Sequence, residues 1–487
     1  MSAWSIVLLC SFVINIMLVI TMIFIERRKP QSIISWLVIL MLFPILGFVF
    51  YIFVGSGLSL KTRKMIRTMQ AHNKEYQEYA DFQRDKLLDT VKHSGDFAGE
   101  IEEFILFNIN SSDSICFLDN DVEIFTCGKD KIEALKKDLE AAKSSINIMY
   151  YIFAGDKVGK EVMEILIRKA KSGVKVNFIY DSIGCIRTGR RFYNKLKKAG
   201  GNVQEFFPPL FGIRLINFKL NYRNHKKIVV IDGEVGYVGG INIRDDHMGD
   251  KKRLSPWRDT HARIVGEAVF GLQTAFFNDL RFCSGKHTTT RDLEKLGYYP
   301  KYESHGDVAM QIVTSGPDRP QPRIKDSMVK MMSLAKQRIV LQTPYFIPDD
   351  IFLSMIAQAI SSGVRVDIMI PKKPDKKIVY WATLSYIRDV LLMGANVYLY
   401  DGFIHSKVMI VDDKFATIGT TNADNRSFYL NFEINAFMFG KEIANKNLEI
   451  FEKDISNSLK IDSNYLKKKG IPSSMAQTIF RLFSPLL

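Results

Sequence analysis

The sequence predicts an α/β protein made of two homologous halves, preceded by two transmembrane helices. Three observations predict this organisation: a repeated order of apolar strands and amphipathic helices, a duplicated motif built on His and Lys, and two apolar runs at the N-terminus. The 487 residues exceed one ordinary domain, and 47% hydrophobic with 24% charged residues fits a globular protein with an added membrane segment.

Residues 1–56 are predicted to form a two-span membrane anchor. The almost wholly apolar stretch 4–25 would measure about 33 Å as a helix, which is enough to cross a bilayer core. A second apolar run covers residues 32–54, although Pro44 within it leaves room for a re-entrant hairpin. A cleaved signal peptide is disfavoured, because no basic region precedes the first run and no small-residue cleavage site follows it.

Charge indicates an acidic partner and only weakly indicates the side of the membrane. The formal net charge of +15 suits a phosphate-bearing partner, either an anionic membrane surface or nucleic acid. Basic residues occur both between the apolar runs, at 27–29, and after them, at 61–67. The second group is slightly larger, so we predict a cytoplasmic catalytic domain on the same side as the N-terminus. Residues 57–96 are polar and predict a juxtamembrane helix and linker.

An internal repeat organises the remainder of the chain. The apolar run 146–153 precedes a helical stretch and another strand at 172–176, and the same order recurs at 338–346 and 362–366. Short β-branched runs without alternation are typical of strands buried on both faces of a largely parallel sheet.

We therefore divide this part of the chain into a first half, 97–295, and a second half, 296–487. The second half carries a C-terminal tail, residues 471–487, with spaced apolar side chains. That tail either lies on lipid as an amphipathic segment or packs on its own domain.

Two His-x-Lys-x4-Asp motifs, each followed by a Gly-x-x-Asn sequence, carry the predicted chemistry. On a strand, residues i and i+2 point to the same face, so each His projects beside its Lys. A nucleophile or proton donor next to a fixed cation is what a phosphate site needs. One copy would be weak evidence, since a surface His and Lys give the same pattern, but two copies at matching places make chance a poor explanation. The candidate residues are His225, Lys227, Asp232 and Asn242, and His405, Lys407, Asp412 and Asn422.

Asp259 and Glu433 are candidates for holding the two imidazoles. A nucleophilic imidazole needs an acceptor at its other nitrogen, which fixes the tautomer and stabilises the cation, although either acid could be an ordinary salt-bridge partner. His247 and His261 have no counterpart in the other half and are interpreted as structural or peripheral. The five cysteines form no Cys-x-x-Cys pair and no His-Glu-x-x-His motif occurs, so neither a metal nor another cofactor is predicted.

At these residues the sequence resembles the phospholipase D superfamily, and more closely the bacterial cardiolipin synthases. The resemblance covers nearly the whole chain. The paired motifs are specific for the superfamily, whereas the flanking stretches indicate cardiolipin synthase within it. Those stretches are 26–30, 257–261, 371–375, 379–383 and 483–487.

The resemblance implies a pseudo-twofold fold of two phospholipase D-like halves whose motifs meet at their interface. By analogy we assign His225 as the nucleophile and His405 as general acid and then base, although the sequence alone does not order them. The other implied roles are phosphate binding by Lys227, Lys407, Asn242 and Asn422, orientation of the histidines by Asp259 and Glu433, and a mainly structural role for Asp232 and Asp412.

The implied reaction is phosphatidyl transfer. One phosphatidylglycerol loses glycerol to form a phosphatidyl-histidine, and a hydroxyl of a second phosphatidylglycerol attacks it to give cardiolipin. Phosphatidylglycerol, other anionic lipids and the membrane are the expected partners, and phosphatidylethanolamine could replace one donor. Three alternatives stay open: a hydrolytic phospholipase D, a nuclease, which the membrane runs disfavour, and a non-catalytic scaffold on anionic lipid. Nucleic acid is not expected, and the oligomeric state is not predicted.

Overall fold

The computed structural model describes residues 3–24, 30–51, 55, 62, 64–66, 99–208, 221–249, 254–286, 288–300, 306–467 and 470–484. Most of the predicted juxtamembrane segment 57–96 lies outside these residues, as do the basic turn 27–29 and the last residues, 485–487.

One described helix is long and apolar enough to cross a membrane. It is α1 (Ala3–Phe24), whose span Trp4–Phe24 has a mean hydropathy of 2.8. The second apolar run instead forms two shorter helices, α2 (Pro30–Leu42) and α3 (Pro44–Phe50), so the prediction of two transmembrane helices is not confirmed. Pro44 explains the difference, because proline lacks an N–H and its ring clashes with the preceding helical turn.

Helices α2 and α3 fold back on one another as a hairpin. The ring of Trp36 lies 5.6 Å from that of Phe50 and 5.0 Å from that of Tyr51, between centroids. In a continuous helix, residues 36 and 50 would be about 21 Å apart. A Cβ on Gly47 would lie 2.9 Å from the carbonyl oxygen of Ile39, so glycine permits the close approach of the two helices. The second run therefore reverses direction between α2 and α3.

A polar side chain of α1 hydrogen-bonds to the backbone at the point where the second run reverses direction. The Asn15 side chain is buried, and its Nδ2 donates a hydrogen bond to the carbonyl oxygen of Pro44 at 3.1 Å. The same Nδ2 lies 3.5 Å from the carbonyl oxygen of Leu40, which receives no helical hydrogen bond because Pro44 has no N–H. Asn15 thus ties the broken helix to the long one.

Two mixed sheets and two separate two-stranded pairs, together with helices, form the remainder of the described chain. Their strands are β1 (Cys116–Phe117), β2 (Asn120–Phe125), β3 (Ser145–Tyr150), β4 (Lys175–Asp181), β5 (Asn202–Phe206), β6 (Arg223–Asn224), β7 (Lys227–Ile231), β8 (Val235–Gly239), β9 (Trp257–Arg258), β10 (His261–Gly266), β11 (Ala309–Ser315), β12 (Arg338–Gln342), β13 (Phe346–Ile347), β14 (Arg365–Pro371), β15 (Asn396–Tyr400), β16 (Phe403–Ile404), β17 (Val408–Val411), β18 (Phe415–Gly419), β19 (Ala423–Asp424), β20 (Asn431–Phe439) and β21 (Ser458–Ile461).

The helices of this part pack on and between the sheets. They are α4 (Glu100–Ser112), α5 (Gly128–Ala141), α6 (Lys157–Lys171), α7 (Arg190–Lys198), α8 (Val269–Ser284), α9 (Thr290–Lys295), α10 (Arg323–Ser333), α11 (Asp350–Ser361), α12 (Lys377–Met393), α13 (Asn425–Tyr429), α14 (Lys441–Ser456), α15 (Ser463–Lys467) and α16 (Gly470–Leu482), with a 3₁₀ turn at Asp245–Met248.

The predicted internal repeat is confirmed by strand order. The first sheet runs β2-β10-β8-β7-β3-β4-β5, and the second contains the matching series β11-β20-β18-β17-β12-β14-β15. Along these two series the strands are parallel only over β3-β4-β5 and β12-β14-β15, and the motif strands β7 and β17 are antiparallel to β3 and β12. The sheets are therefore mixed rather than largely parallel. Strands β3, β7 and β17 are buried throughout, as their unbroken apolar runs predict.

The first residues after the linker pack with the second half instead of the first. Strand β1 pairs with β11 at the edge of the second sheet, and the ring of Phe104 in α4 lies 5.4 Å from that of Phe415 and 5.6 Å from that of Phe437. The predicted boundaries at 97–295 and 296–487 follow the repeat, but packing places α4 and β1 across that boundary. The sequence repeat begins after α4 and β1, so it did not predict that these two elements pack with the second half.

A shared apolar core joins the two sheets and positions the site. It contains side chains from both sheets, from α8 and from α14, while separate cores lie under the outer helices of each half. At its edge, short parallel pairs cross between halves, since β6 pairs with β20 and β9 pairs with β16.

The C-terminal helix α16 packs against α12 and reaches the membrane segment. The Ser35 hydroxyl of α2 donates to the carbonyl oxygen of Leu482 at 3.0 Å, and Tyr386 of α12 hydrogen-bonds to Ser484. The tail therefore packs on its own domain, and it also leaves exposed apolar side chains, among them Met475 and Ile479.

Candidate active site

Each motif histidine is anchored by its main chain to the opposite half of the fold. His225 lies between β6 and β7, and its N–H donates to the carbonyl oxygen of Phe432 at 2.9 Å. His405 lies between β16 and β17, and its N–H donates to the carbonyl oxygen of Arg258 at 2.6 Å. The acceptor in each case directly precedes one of the two candidate carboxylates, so the short crossing strand pairs set the positions of the side chains.

The carboxylates pair with the histidines across the halves. Nδ1 of His225 lies 3.0 Å from both carboxylate oxygens of Glu433, and Nδ1 of His405 lies 2.6 Å from Oδ2 of Asp259. Both carboxylates are fully buried. The sequence indicated these acids as orienting groups without assigning partners, and the structure gives each half a histidine that is held by the acid of the other half.

Glycine makes room for one of these pairs. A Cβ on Gly240 would lie 2.0 Å from Oδ1 of Asp259, so a side chain here would displace the carboxylate that holds His405. The corresponding residue of the second motif is Thr420, whose carbonyl oxygen lies 3.1 Å from Nδ1 of His225. The first motif therefore has glycine where the second has threonine, because residue 240 packs directly against the Asp259 carboxylate.

The two motif lysines lie beside the histidines in buried positions. Nζ of Lys227 donates to the carbonyl oxygen of His225 at 2.7 Å, and Nζ of Lys407 makes the same bond to His405. Because an ammonium has three donors, each lysine keeps donors for another oxygen. Burial lowers the pKa of Lys227 to about 7 and that of Lys407 to about 8, although the carboxylates Asp259 and Glu433 oppose the shift.

Burial and neighbouring charges also shift the pKa values of the two histidines and their carboxylate partners. Burial lowers the pKa of His225 to about 4 against the opposing effect of Glu433, and it lowers the pKa of His405, with Lys407 acting in the same direction. Burial raises the pKa of Asp259. Burial likewise raises that of Glu433, but its contact with His225 outweighs this and the pKa is lowered. The environment therefore favours the ionised form of Glu433 and shifts Asp259 toward its protonated form.

The two motif asparagines are buried at the site with different partners. Oδ1 of Asn242 accepts from the N–H of Ile152 at 3.2 Å, whereas Nδ2 of Asn422 donates to Oδ2 of Asp424 at 3.0 Å. Their predicted role as phosphate ligands stays a prediction.

His247 is a site residue that the sequence did not reveal. It is buried, its ring lies 5.4 Å from that of His405 and 4.2 Å from that of Trp257, and its Nδ1 lies 3.9 Å from Oδ2 of Asp259. Its position is therefore not peripheral, and the structural role that the sequence also suggested stays a prediction. The absence of a counterpart in the other half removed the signal. His261 is buried outside this group, where burial and the charge of Lys131 lower its pKa.

Aromatic rings flank both histidines. Tyr151 lies 4.8 Å from His225, and Trp257 lies 5.5 Å from His405, between ring centroids. In the sequence Tyr151 appeared only within the apolar run 146–153, and Trp257 only within the flanking stretch 257–261. The apolar surface of both rings limits access of water to the imidazoles.

Asp232 and Asp412 lie away from the histidines. Each begins the turn at the opposite end of its motif strand, about 20 Å along the extended chain from the histidine. The Asp232 carboxylate accepts from the N–H groups of residues 143–145, and that of Asp412 from those of residues 336–338. These contacts are those of structural residues, and whether Asp232 and Asp412 also affect catalysis stays a prediction.

Among the described residues, one group has the ligand types of a metal site. It consists of His247, Asp259 and His405, whose candidate ligand atoms lie within 4.8 Å of one another. Two facts oppose a cation there: Asp259 already bonds to His405, and the positive charges of Lys227 and Lys407 act on His247. The donor set is present, but its charge environment suits an anion.

Comparison with known proteins agrees with this arrangement. A family model described as cardiolipin synthase, PLD-like domain, matches residues 135–252 and again residues 328–455. The major cardiolipin synthase ClsA of Bacillus subtilis is 42% identical over 100% of both chains, and a cardiolipin synthase of Oceanobacillus iheyensis is 39% identical with the same coverage. The chain belongs to the cardiolipin synthase family. Each of the two matched segments contains one histidine motif: the first includes His225 and the second His405.

Two further comparisons cover the membrane segment and the fold. Residues 13–56 match a family described as phospholipase D-nuclease N-terminal. The crystal structure of a phosphatidylserine synthase from Haemophilus influenzae matches with a TM-score of 0.61 at 13% identity. The match covers 79% of the present chain and 100% of the phosphatidylserine synthase chain. At that identity the likeness shows the fold alone.

Replacing Asp412 by Asn tests its structural role. We expect the free energy of unfolding to fall by about 1–3 kcal/mol, because one oxygen that accepts backbone N–H groups becomes a donor. The kcat of the folded enzyme should not change. Thermal unfolding and activity below the transition measure both quantities. Asp413→Asn, at the adjacent half-exposed residue, is the control and should leave both unchanged. A loss of kcat without a loss of stability would return Asp412 to the catalytic set.

Proposed function

We propose that this protein is a phosphatidyltransferase that converts two phosphatidylglycerol molecules into cardiolipin and glycerol. One observation carries the proposal: two buried imidazoles, each held by a carboxylate and each beside a lysine ammonium, converge at the interface of the halves. Full-length relatives named cardiolipin synthase support it. The lysine charges also suit a phosphodiester, which is an anion at every working pH.

The first step is attack on phosphorus by His225. Glu433 accepts from Nδ1, so the lone pair of Nε2 is free for attack, and the lowered pKa of His225 keeps the ring neutral. A P–N bond forms and the P–O bond to glycerol breaks. His405 supplies the proton to the leaving alkoxide, and the raised pKa of Asp259 helps its pair with His405 to retain that proton until it is needed.

The second step reverses these roles for a new alcohol. A hydroxyl of the second phosphatidylglycerol gives its proton to His405 as its oxygen attacks phosphorus, and the P–N bond returns its electrons to His225. Lys227 and Lys407 stabilise the extra negative charge on the phosphate oxygens during both steps. One phosphodiester replaces another, so no nucleotide is consumed and the exchange is reversible.

The products distinguish this proposal from hydrolysis. Purified protein with phosphatidylglycerol alone and a chelator is expected to yield cardiolipin and glycerol by mass spectrometry, and acid-quenched enzyme should carry a phosphatidyl group on a peptide containing His225. His225→Ala should abolish both signals. Phosphatidic acid as the main product would instead indicate a hydrolytic phospholipase D, and full activity of His225→Ala would remove the proposed mechanism.

The depressed lysine pKa values predict a pH dependence. A lysine is a cation below its pKa, so stabilisation by Lys227 and Lys407 is present below pH 7 and is lost as pH rises through about 7 and 8. We expect kcat/KM to fall over that interval, measured in nonionic micelles to avoid surface-potential effects. Lys372→Met, at an exposed lysine, should keep the same profile. A profile that stays level to pH 10 would contradict the shift.

The hairpin supports a membrane topology different from two spans. We infer that α1 crosses the bilayer while α2 and α3 enter and return on the same side. The basic residues 27–29 and 61–67 then both fall on that side, which resolves their conflict under the positive-inside rule and places the catalytic domain in the cytoplasm and the N-terminus outside. The contact between Ser35 and Leu482 joins the start of the hairpin to the catalytic part, as this topology requires.

Labelling from outside the cell tests the topology. A membrane-impermeant maleimide should label Ser2→Cys in intact protoplasts, whereas Glu123→Cys, at an exposed position of β2, should react only after permeabilisation. The parent protein gives the background from its five cysteines. Equal protection of both variants in intact protoplasts would support two full spans and overturn the re-entrant arrangement.

A further inference from the structure

Asp454 lies behind the second motif, on the helix α14 that packs into the shared core, and it takes no part in the transfer steps described above. Its carboxylate is buried and bound to Arg258: Oδ1 accepts from Nε at 3.0 Å, and Oδ2 lies 2.8 Å from Nη2. A two-point pair of this kind fixes the plane of a guanidinium as well as its position. Asp454 therefore fixes the side chain of Arg258.

The fixed guanidinium holds the chain around Asp259. Nη1 of Arg258 donates to the carbonyl oxygen of Asp259 at 2.6 Å and to the Thr260 hydroxyl at 2.8 Å. The N–H of Thr260 donates to Oδ1 of Asp259 at 2.8 Å, which leaves Oδ2 for Nδ1 of His405. The carbonyl oxygen of Arg258 accepts from the N–H of His405 at 2.6 Å. The contacts that hold the general acid thus come from a segment that Arg258 braces.

A second path joins the same aspartate to the motif and closes a ring of buried hydrogen bonds. Oδ2 of Asp454 accepts from Nε2 of Gln342 at 2.8 Å, and Oε1 of Gln342 accepts from the Ser406 hydroxyl at 3.1 Å. The Ser406 hydroxyl lies 2.7 Å from that of Thr260. Ser406 directly follows His405 in the motif. The histidine and its carboxylate are therefore both tied to one side chain of α14.

The hydrogen bonds of this ring all run in one direction. The Ser406 hydroxyl has a single hydrogen, which goes to Gln342, so the Thr260 hydroxyl donates to Ser406. The oxygen of Thr260 is left to accept from Arg258. Hydrogen bonds that lead in one direction from a cation to an anion polarise one another. Loss of the charge on Asp454 would therefore weaken the bonds throughout the ring.

The first half has an equivalent aspartate that is paired with a different cation. Asp279 lies on α8, which follows β10 as α14 follows β20. Its carboxylate oxygens accept from Nζ of Lys226 at 3.1 and 3.0 Å, and Oδ2 also accepts from Nδ2 of Asn224 at 2.7 Å. Asn224 and Lys226 directly flank His225 in the sequence. The contacts of Asp279 therefore lead to the nucleophile and not to the general acid.

We propose that Asp454 is a positioning residue for proton transfer by His405. Its counterpart Asp279 positions His225 for attack on phosphorus. This inference rests on the proposed phosphatidyltransferase function. Both aspartates act through intervening residues, and both chemical events need heavy atoms held within hydrogen-bond or near-attack distance, so small displacements are costly. Loss of each aspartate should therefore slow a different event.

Leaving-group dependence separates these two events. Loss of glycerol requires a proton because an alkoxide is a poor leaving group, whereas p-nitrophenolate leaves without one. Excess full-length enzyme in mixed micelles receives either phosphatidylglycerol or phosphatidyl-p-nitrophenol. The first turnover, in which the P–N bond forms and the P–O bond breaks, is followed by rapid quench for glycerol and by absorbance for p-nitrophenolate. Thermal unfolding confirms that each variant is folded.

The two aspartate variants should differ in their response. Asp454→Asn should lower the first-turnover rate with phosphatidylglycerol by about tenfold to a hundredfold, because proton transfer is impaired, and should leave the rate with the p-nitrophenyl ester unchanged. Asp279→Asn should lower both rates by the same factor, because attack precedes either departure. His405→Ala should repeat the pattern of Asp454→Asn with a larger loss. Glu449→Gln, at an exposed residue of α14, is the control and should keep both wild-type rates.

The outcomes separate the positioning role from the proposed function. A wild-type enzyme that releases neither leaving group would overturn the transferase itself. Equal losses with both substrates in Asp454→Asn, as a general structural defect would give, or no loss with phosphatidylglycerol, would overturn the positioning role and leave the transferase standing. If Asp454→Asn does not fold, Ser406→Ala opens the ring at a neutral hydroxyl. A severalfold loss confined to phosphatidylglycerol would then support the role, and any other result would reject it.

Discussion

The hydrogen bonds between each motif histidine and the carboxylate of the opposite half are the interactions on which the site depends. Without them, the two halves would share an apolar core and nothing in that core would fix the imidazoles. The bond from each histidine N–H to the residue before the opposite acid sets the distance, and the carboxylate then sets the tautomer. Folding of one half is thus completed by the other.

This arrangement places an unusual amount of charge in a buried region. Two lysines, two carboxylates and three histidines lie together with little exposure. Each buried ion would be costly alone, and the costs are offset because cations and anions alternate around the site. Burial nevertheless lowers the pKa values of both lysines against the effect of the carboxylates, so the site holds their positive charge at a cost. A bound phosphodiester relieves that condition, which links substrate binding to the stability of the site.

The sequence predicted those features that repeat, and it missed those that occur once. Duplication of the His-x-Lys motif identified His225 and His405, and the strand order confirms the two halves. His247 has no repeated counterpart, so the repeat gave no reason to place it at the site. The sequence also did not predict that α4 packs with the second half, because that packing joins residues far apart in the chain. Apolar content suggested a second span, while Pro44 left room for a re-entrant hairpin. The structure breaks the helix at Pro44, a local backbone effect that overrides hydropathy.

The proposed re-entry of the α2–α3 hairpin would have a mechanical consequence for the bilayer. A segment that enters one leaflet and returns adds cross-sectional area to that leaflet and none to the other. Such a wedge inserts at the lowest cost where the leaflet is already stretched, as it is on the convex face of a bent membrane. Pro44 and Gly47, which shape the turn and its close packing, would in this way give the enzyme a preference for curvature as well as an anchor.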